Sequence, residues 1–374
     1  MAVISARYPV AGAKGDQLRV FAQVRVLAKA HTVRVLTAEA PSGPEARREL
    51  EALAEVRSFA ASRISRALGA VNALARGRPA QVGWMMPRHS WRRILGGIEG
   101  CDVVLVSTVR SIRGPVGAPL VVDHEDALSL KLSERAAGSV NPAIRAAAMF
   151  ESRLTRGWER EVALWAKAQV VTSGRDAAQL PSSPPPLVLP QAWDGGVYTD
   201  FSREQRDIDL VFSGNMAYPP NRDAAEWLAG EILPLVRTEW PEVEAVIVGR
   251  DAAALGRLPQ VTVLSDVPDV LAVLRRAKLA AAPLRIGSGS PNKVLEAAAS
   301  GAAVVATPRA VEPFGMPAAT AESAESFARA VVRLLSNEED RRTLAKAASE
   351  AVKEMSWECR GRDLERVLSE AAGR

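Results

Sequence analysis

The side chains best suited to chemistry lie between Leu279 and Pro308, LAAAPLRIGSGSPNKVLEAAASGAAVVATP. Lys293 and Glu296 are three apart, so on a helix both project from one face near its start. A cation suits a diphosphate, and a carboxylate one turn on suits ribose hydroxyls. Ahead of them, Ile286 to Pro291 form a turn in which Gly287 and Gly289 let backbone N–H groups approach an anion.

Positioning these groups needs a strand, a loop and a helix. The apolar run Leu279–Leu284, bounded by Arg285, reads as a buried parallel strand. Asn292 is the expected N-cap of a helix from Lys293 to Ser300, which Gly301 closes. Ala302–Ala306 is a second apolar strand. The three form a βαβ unit whose helix N-terminus is an anion site.

A second polar cluster, Asp123-His124-Glu125-Asp126, follows the apolar strand Pro119–Val122 directly. That is the carboxyl edge of a sheet, where α/β proteins place their chemistry. Asp123 and Asp126 are also suited to capping the next helix, a role that fits His124 less well. The chain opens with a strand at Ala2–Ser5, a loop to Gly15 and a helix from Asp16 to Ala30, with Asp16 as its expected cap. The loop holds only Gly12 and Gly15, which excludes the G-x-G-x-x-G dehydrogenase fingerprint. Farther on, strands at Asp209–Ser213, Val243–Val248 and Val261–Leu264 lead into Gly214-Asn215, Gly249-Arg250 and Ser265–Asp269. The stripe Phe150, Leu154, Trp158, Val162 and Trp165 reads as the core face of a long helix, Pro142–Lys167.

The segment GSG-x-x-NK-x-LEA, Gly287 to Ala297, resembles the donor signature of retaining GT-B glycosyltransferases of family 4, in a sugar-transferase subgroup. The resemblance implies an α/β fold of two Rossmann-like domains facing a cleft. It implies that Glu296 holds the nucleotide ribose, while Ser288, Gly289, Ser290, Asn292 and Lys293 surround the diphosphate and sugar. The family pattern has two glutamates with seven residues between them; here the first position is Ser288, a departure at the contact to the transferred sugar. The loop Gly214–Asn221 resembles the same subgroup but lacks the Arg and Lys that many members place there, so Lys293 and Arg285 are expected to carry the phosphate charge. By the same resemblance Gly15 approaches the donor phosphates, Arg250 and Val267 lie toward the base, and His124 and Asp126 are the catalytic candidates.

The expected domains are 1–190 for the acceptor, a linker at 191–207, 208–356 for the donor, and 357–374 as a helix crossing back. The activity implied is transfer of a hexosyl or related sugar from a nucleotide-diphosphate donor to a glycan, lipid-linked or small-molecule acceptor, with retention. Alternatives are a nucleotide-sugar epimerase of the same fold and a non-catalytic nucleotide-sugar binder. No cofactor or metal is implied, because the nucleotide sugar is a substrate and a lysine with a helix dipole can neutralise the leaving diphosphate.

Composition supports this class. With 374 residues, 48% hydrophobic and 24% charged, the chain suits two globular domains. Two distant cysteines and three histidines argue for a reducing, cytoplasmic setting without a disulfide frame or zinc site. No run reaches the ~18 apolar residues of a membrane span. The net charge of +5 is uneven: ten arginines face only Glu99 and Asp102 between Arg57 and Arg113. Within that region Trp84–Arg93 reads as a helix–turn–helix packing its aromatics inward, or as a peripheral membrane or acceptor patch. Nothing resembles a nucleic-acid module.

Overall fold

The computed structural model describes residues 1–11, 15–138, 141–197 and 206–374. Residues 12–14, with Gly12 of the first loop, and residues 198–205 of the expected linker lie outside that description. The chain divides into two compact units, Met1–Pro190 with Trp357–Arg374, and Gln191–Ser356. Both are built on parallel α/β sheets.

Unit 1 carries β1 (Ala2–Ser5), β2 (Arg34–Thr37), β3 (Glu55–Ser58), β4 (Val104–Ser107), β5 (Leu120–Asp123), β6 (Ala168–Val171) and β7 (Pro186–Val188), in the order β3-β2-β1-β4-β5-β6-β7. Unit 2 carries β8 (Ile208–Ser213), β9 (Ala245–Gly249), β10 (Thr262–Ser265), β11 (Ala277–Ala282), β12 (Ala303–Ala306) and β13 (Ala319–Thr320), in the order β10-β9-β8-β11-β12-β13. Central strands such as β4 and β8 are buried along their whole length. Helices cover both faces of such sheets, so these strands read as unbroken apolar runs rather than alternating ones. In each sheet the winding reverses once, between β1 and β4 and between β8 and β11. Those reversals leave a crevice at the carboxyl ends of the flanking strands.

The last helix, Trp357–Ala371, belongs to unit 1 and packs on the Asp16–Leu27 helix. Trp357, Leu364 and Leu368 are buried in it, and a Cβ on Gly361 would lie 2.1 Å from Val26 Cγ1. His31 joins this contact through Nε2, 2.8 Å from Glu365. The tryptophans of the arginine-rich segment part company: Trp91 is buried, while Trp84 is 43% exposed. The inward-packing expectation therefore holds for Trp91 and is corrected for Trp84.

Candidate functional site

The reversal between β8 and β11 brings together the loop after each strand. Gly214 N–H donates to Val248 O (3.0 Å), Met216 N–H to Arg250 O (2.9 Å) and Asp266 N–H to Gly249 O (3.0 Å), which laces the ends of β8, β9 and β10 into one surface. Asn215 closes its own turn, its Oδ1 accepting from Ala217 N–H at 2.9 Å. Its carbonyl accepts from Asn221 Nδ2 (2.9 Å), and Asn221 Oδ1 in turn accepts from Lys293 Nζ at 2.8 Å. The same ammonium stands 4.0 Å above the Phe212 ring. Lys293, carried by the helix after β11, is thus held over the end of β8. Gly214 leaves room for it, since a Cβ there would come 3.0 Å from Nζ.

The loop after β11 depends on two glycines in backbone conformations that side chains avoid, Gly287 at φ 117° and Gly289 at φ 76°. Arg309 Nη1 donates to Gly287 O (2.9 Å), and Ser290 Oγ accepts from Gln191 N–H (3.0 Å). Ser290 is thereby an anchor of the loop. Ser288 differs: its Oγ is buried and has no hydrogen-bond partner among the described residues. A buried orphan hydroxyl costs about 1–3 kcal/mol, which a ligand atom at that point would recover.

One expectation needs correction. Asn292 is not the N-cap; the helix runs Asn292–Ala299 with Pro291 at the cap and no side-chain cap bond. Proline's fixed φ starts the helix one residue early, and its N-terminal end has no side chain of its own over it. Arg285 is paired, donating to Asp223 at 2.7 and 3.1 Å and lying 4.9 Å over the Trp227 ring. It ties its loop to the Pro219–Trp227 helix. Glu296 stands partly buried one turn beyond Lys293. Arg250 is exposed at the end of β9, and Val267 packs partly buried on the unit 2 core beside Asp266.

In unit 1 the carboxyl edge of β5 is organised by a buried ion pair. Asp123 accepts from Arg19 Nε (2.7 Å), Gln23 Nε2 (2.5 Å) and Glu125 N–H (3.0 Å). Arg19 is itself 5.3 Å over the Trp357 ring. Gly15 is the N-cap residue of the Asp16–Leu27 helix at φ 68°, which corrects the assignment of that position to Asp16. Asp16 instead accepts from Arg7 at 2.9 Å. Asp126 pairs with Lys131 at 2.7 Å, and Ala127 holds the cap position of the following helix.

His124 is buried, with Nε2 2.9 Å from Gln169 Oε1. Gln169 Nε2 donates to the carbonyls of Pro181 and Pro184, which fixes the amide and makes Oε1 the acceptor. The imidazole therefore carries its proton on Nε2, and Nδ1 is a buried acceptor without a partner among the described residues. A sugar hydroxyl could donate to Nδ1; Nε2–H is already engaged. Burial pushes the ring down to about 4, against the smaller opposing effects of Gln169 and Asp123. The unfolded ring protonates near 6.5, so stability is lost as pH falls from 6.5 through 4, roughly 3 kcal/mol for the full window. In urea titrations across that range, His124→Gln should flatten the slope; an unchanged slope would assign it to another group.

Glu125 is the residue that reading the sequence missed. Its backbone is left-handed at φ 62° and is held there by Thr172, whose N–H and Oγ1 both donate to Glu125 O at 2.9 Å. Its carboxyl is pushed up to about 8, first by burial and then by Asp126 and Asp16. The signal available was an acid flanked by a second acid at a sheet edge. Thr108, Asp251 and Asp266 are also left-handed, after β4, β9 and β10. Of the five such non-glycine positions among the described residues, four lie at carboxyl edges, where functional sites store strain, and the fifth, Gln260, precedes β10.

Residues 207–337 match the family described as Glycosyl transferases group 1. No curated protein matches the chain at a significant level. Among solved structures, HepE from Anabaena, crystallised with UDP and glucose, is similar at 15% identity over 99% of this chain and 100% of that one, with TM-score 0.65. WaaG, a glycosyltransferase involved in lipopolysaccharide biosynthesis, is similar at 16% identity over 98% and 99%, with TM-score 0.63. A glycosyltransferase from Rickettsia africae is similar at 12% identity over 99% and 98%, with TM-score 0.62.

Proposed function

We propose that the protein is a retaining glycosyltransferase of family 4 that moves a hexosyl or related sugar from a nucleoside-diphosphate donor to an acceptor, without a metal ion. The observation that carries this is Lys293, fixed by Asn221 and the Phe212 ring at the point where the winding of unit 2 reverses. The family match spans the same loops, and HepE was crystallised with UDP and glucose. In this reading Lys293 and the helix N-terminus at Asn292 take the charge of the leaving diphosphate. Glu296 receives the ribose hydroxyls. The Ser288 hydroxyl meets the transferred sugar where the family pattern has a glutamate. Arg250 and the backbone at Val267 face the base.

Unit 1 is assigned the acceptor. Glu125, with its carboxyl near 8, takes the proton of the acceptor hydroxyl, which attacks on the face the diphosphate leaves from, so that the new bond to the sugar forms as the old one breaks and configuration is retained. Asp126 and Asp16 keep that carboxyl basic.

The test is a scan of UDP-, GDP- and dTDP-sugars for transfer or slow donor hydrolysis, with the product's anomeric form and sugar identity read by NMR. A consumed donor with retained configuration is expected. No binding of any nucleotide sugar overturns the reading, and a product that is an epimer of the donor sugar replaces transfer with epimerisation. Lys293→Ala should weaken nucleoside diphosphates by roughly 1.5–3 kcal/mol with the fold intact. Glu296→Gln should weaken them too but spare free pyrophosphate. Equal losses for both ligands in calorimetry would remove Glu296 from the ribose.

A further inference from the structure

The Arg63–Leu74 helix of unit 1 is turned inside out for a helix surrounded by water. Its buried residues are the small ones, Gly69 and Ala73. Gly69 lies so close to Gly83 of the Ala80–Met85 helix that a Cβ on it would come 2.2 Å from the Gly83 carbonyl oxygen. Its large apolar side chains point outward: Ile64 is 74% exposed, Leu68 and Val71 each 65%, and Leu74 41%. Spaced at intervals of four, three and three, they form one stripe along the helix. Trp84, whose carbonyl accepts from Arg66 Nη1 at 3.3 Å, adds an exposed ring beside the helix crossing.

Along the chain the charge around this stripe has one sign, and the carboxylates that reach the region, Glu55 on Arg57, Glu161 on Arg78 and Glu151 on the start of the Ala80–Met85 helix, are already engaged. Between Val56 and Ile98 the chain has eight arginines and no acidic residue. Arg63, Arg76, Arg88, Arg92 and Arg93 are exposed. A second copy of the chain docked stripe to stripe would set arginines against arginines with no carboxylate to pair them. An anionic bilayer supplies what both features require, an apolar layer for Ile64, Leu68 and Val71 and phosphate headgroups for the cations. No helix among the described residues is long and apolar enough to cross a membrane, so the contact is one of lying on the surface.

We propose that the Arg63–Leu74 helix, with Trp84 and the surrounding arginines, docks unit 1 on an anionic lipid surface. The stripe enters the headgroup boundary while the Gly69–Gly83 contact keeps the helix flat on the body of the unit.

The experiment is sedimentation of the full chain with vesicles of phosphatidylglycerol and phosphatidylcholine, and with phosphatidylcholine alone. Binding to the anionic vesicles at low salt is expected, weaker by at least about tenfold on neutral vesicles and falling steeply with added salt. Leu68→Ser with Val71→Ser should also weaken it by about tenfold or more, because both side chains lose the CH₂ and CH₃ groups that enter the apolar layer. Both sites are exposed, so circular dichroism and the unfolding midpoint should match the parent. Arg63→Gln with Arg92→Gln should reduce the salt dependence. Absence of vesicle binding at low salt overturns the proposal. So does equal binding by the serine variant, which would mark a polyanion patch without insertion. A concentration-dependent dimer that the serine variant abolishes, without vesicle binding, would assign the stripe to a second copy.

Discussion

Gly249→Ala should disable the proposed nucleotide site of unit 2 and lower its stability by several kcal/mol. A Cβ on Gly249 would lie 1.9 Å from the Gly214 carbonyl oxygen, and the backbone there has φ 145°. The obstructing atom is backbone, so no side chain can swing aside. Gly214 cannot retreat either, because its N–H donates to Val248 O and Lys293 Nζ and Asn221 crowd its far side. Overpacking of this kind costs about 1–3 kcal/mol and backbone forced into a disfavoured region a similar amount, so a total near 2–6 kcal/mol is expected. Whatever part of the strain is relieved by moving the Gly214 loop must displace Lys293. Urea unfolding of the full chain and calorimetry with UDP read the two consequences. Gly230→Ala is the control, since nothing lies within 4 Å of its Cβ position and its φ is not in the left-handed range. A Gly249→Ala protein with parental stability and parental UDP affinity would show that the loops of β8 and β9 are not held as described.

Glu125→Gln should lower turnover by ~10²-fold or more, the usual scale for a positioned acid–base group, while UDP affinity stays as in the parent. The parent's turnover should rise as pH increases toward 8, where the carboxyl gives up its proton and becomes able to accept another, and then level. The variant should lose that rise. Stability moves the other way. The folded protein keeps a proton on Glu125 up to about 8 that the unfolded chain releases near 4.5, so this group's contribution falls as pH rises through that window. Glutamine has no such proton, and the variant should gain stability over the parent from pH 5 to 8, with no further gain above it. A stabilised variant with parental turnover would make Glu125 a strained structural residue and nothing more.

The parts of this architecture that were readable from sequence are those written locally. β11, the turn with Gly287 and Gly289, and the following helix lie within one short stretch, and apolar runs bounded by glycine mark them directly. The spacing of Lys293 and Glu296 carries their shared helix face. What was not readable depends on residues far away in the chain. Lys293 meets Asn221, 72 positions earlier. Arg285 pairs with Asp223, 62 positions earlier, and neither residue's type foretells the other. Asn292 loses the cap because proline at the preceding position takes it, a competition between two good helix starts one residue apart. Glu125 became visible only when Asp16 and burial were placed around it.

The Trp357–Ala371 helix has a consequence for how the protein comes into being. It completes unit 1, yet the ribosome makes it after all of unit 2. Until it arrives, the Asp16–Leu27 helix lacks the cover that Trp357, Leu364 and Leu368 provide, and the Arg19–Asp123 pair lacks the ring that lies over it. Gln191–Ser356 is continuous in the chain and can fold as it emerges, whereas unit 1 waits. Synthesis therefore runs in an order in which a helix made after the whole of unit 2 is the one that seals the first sheet.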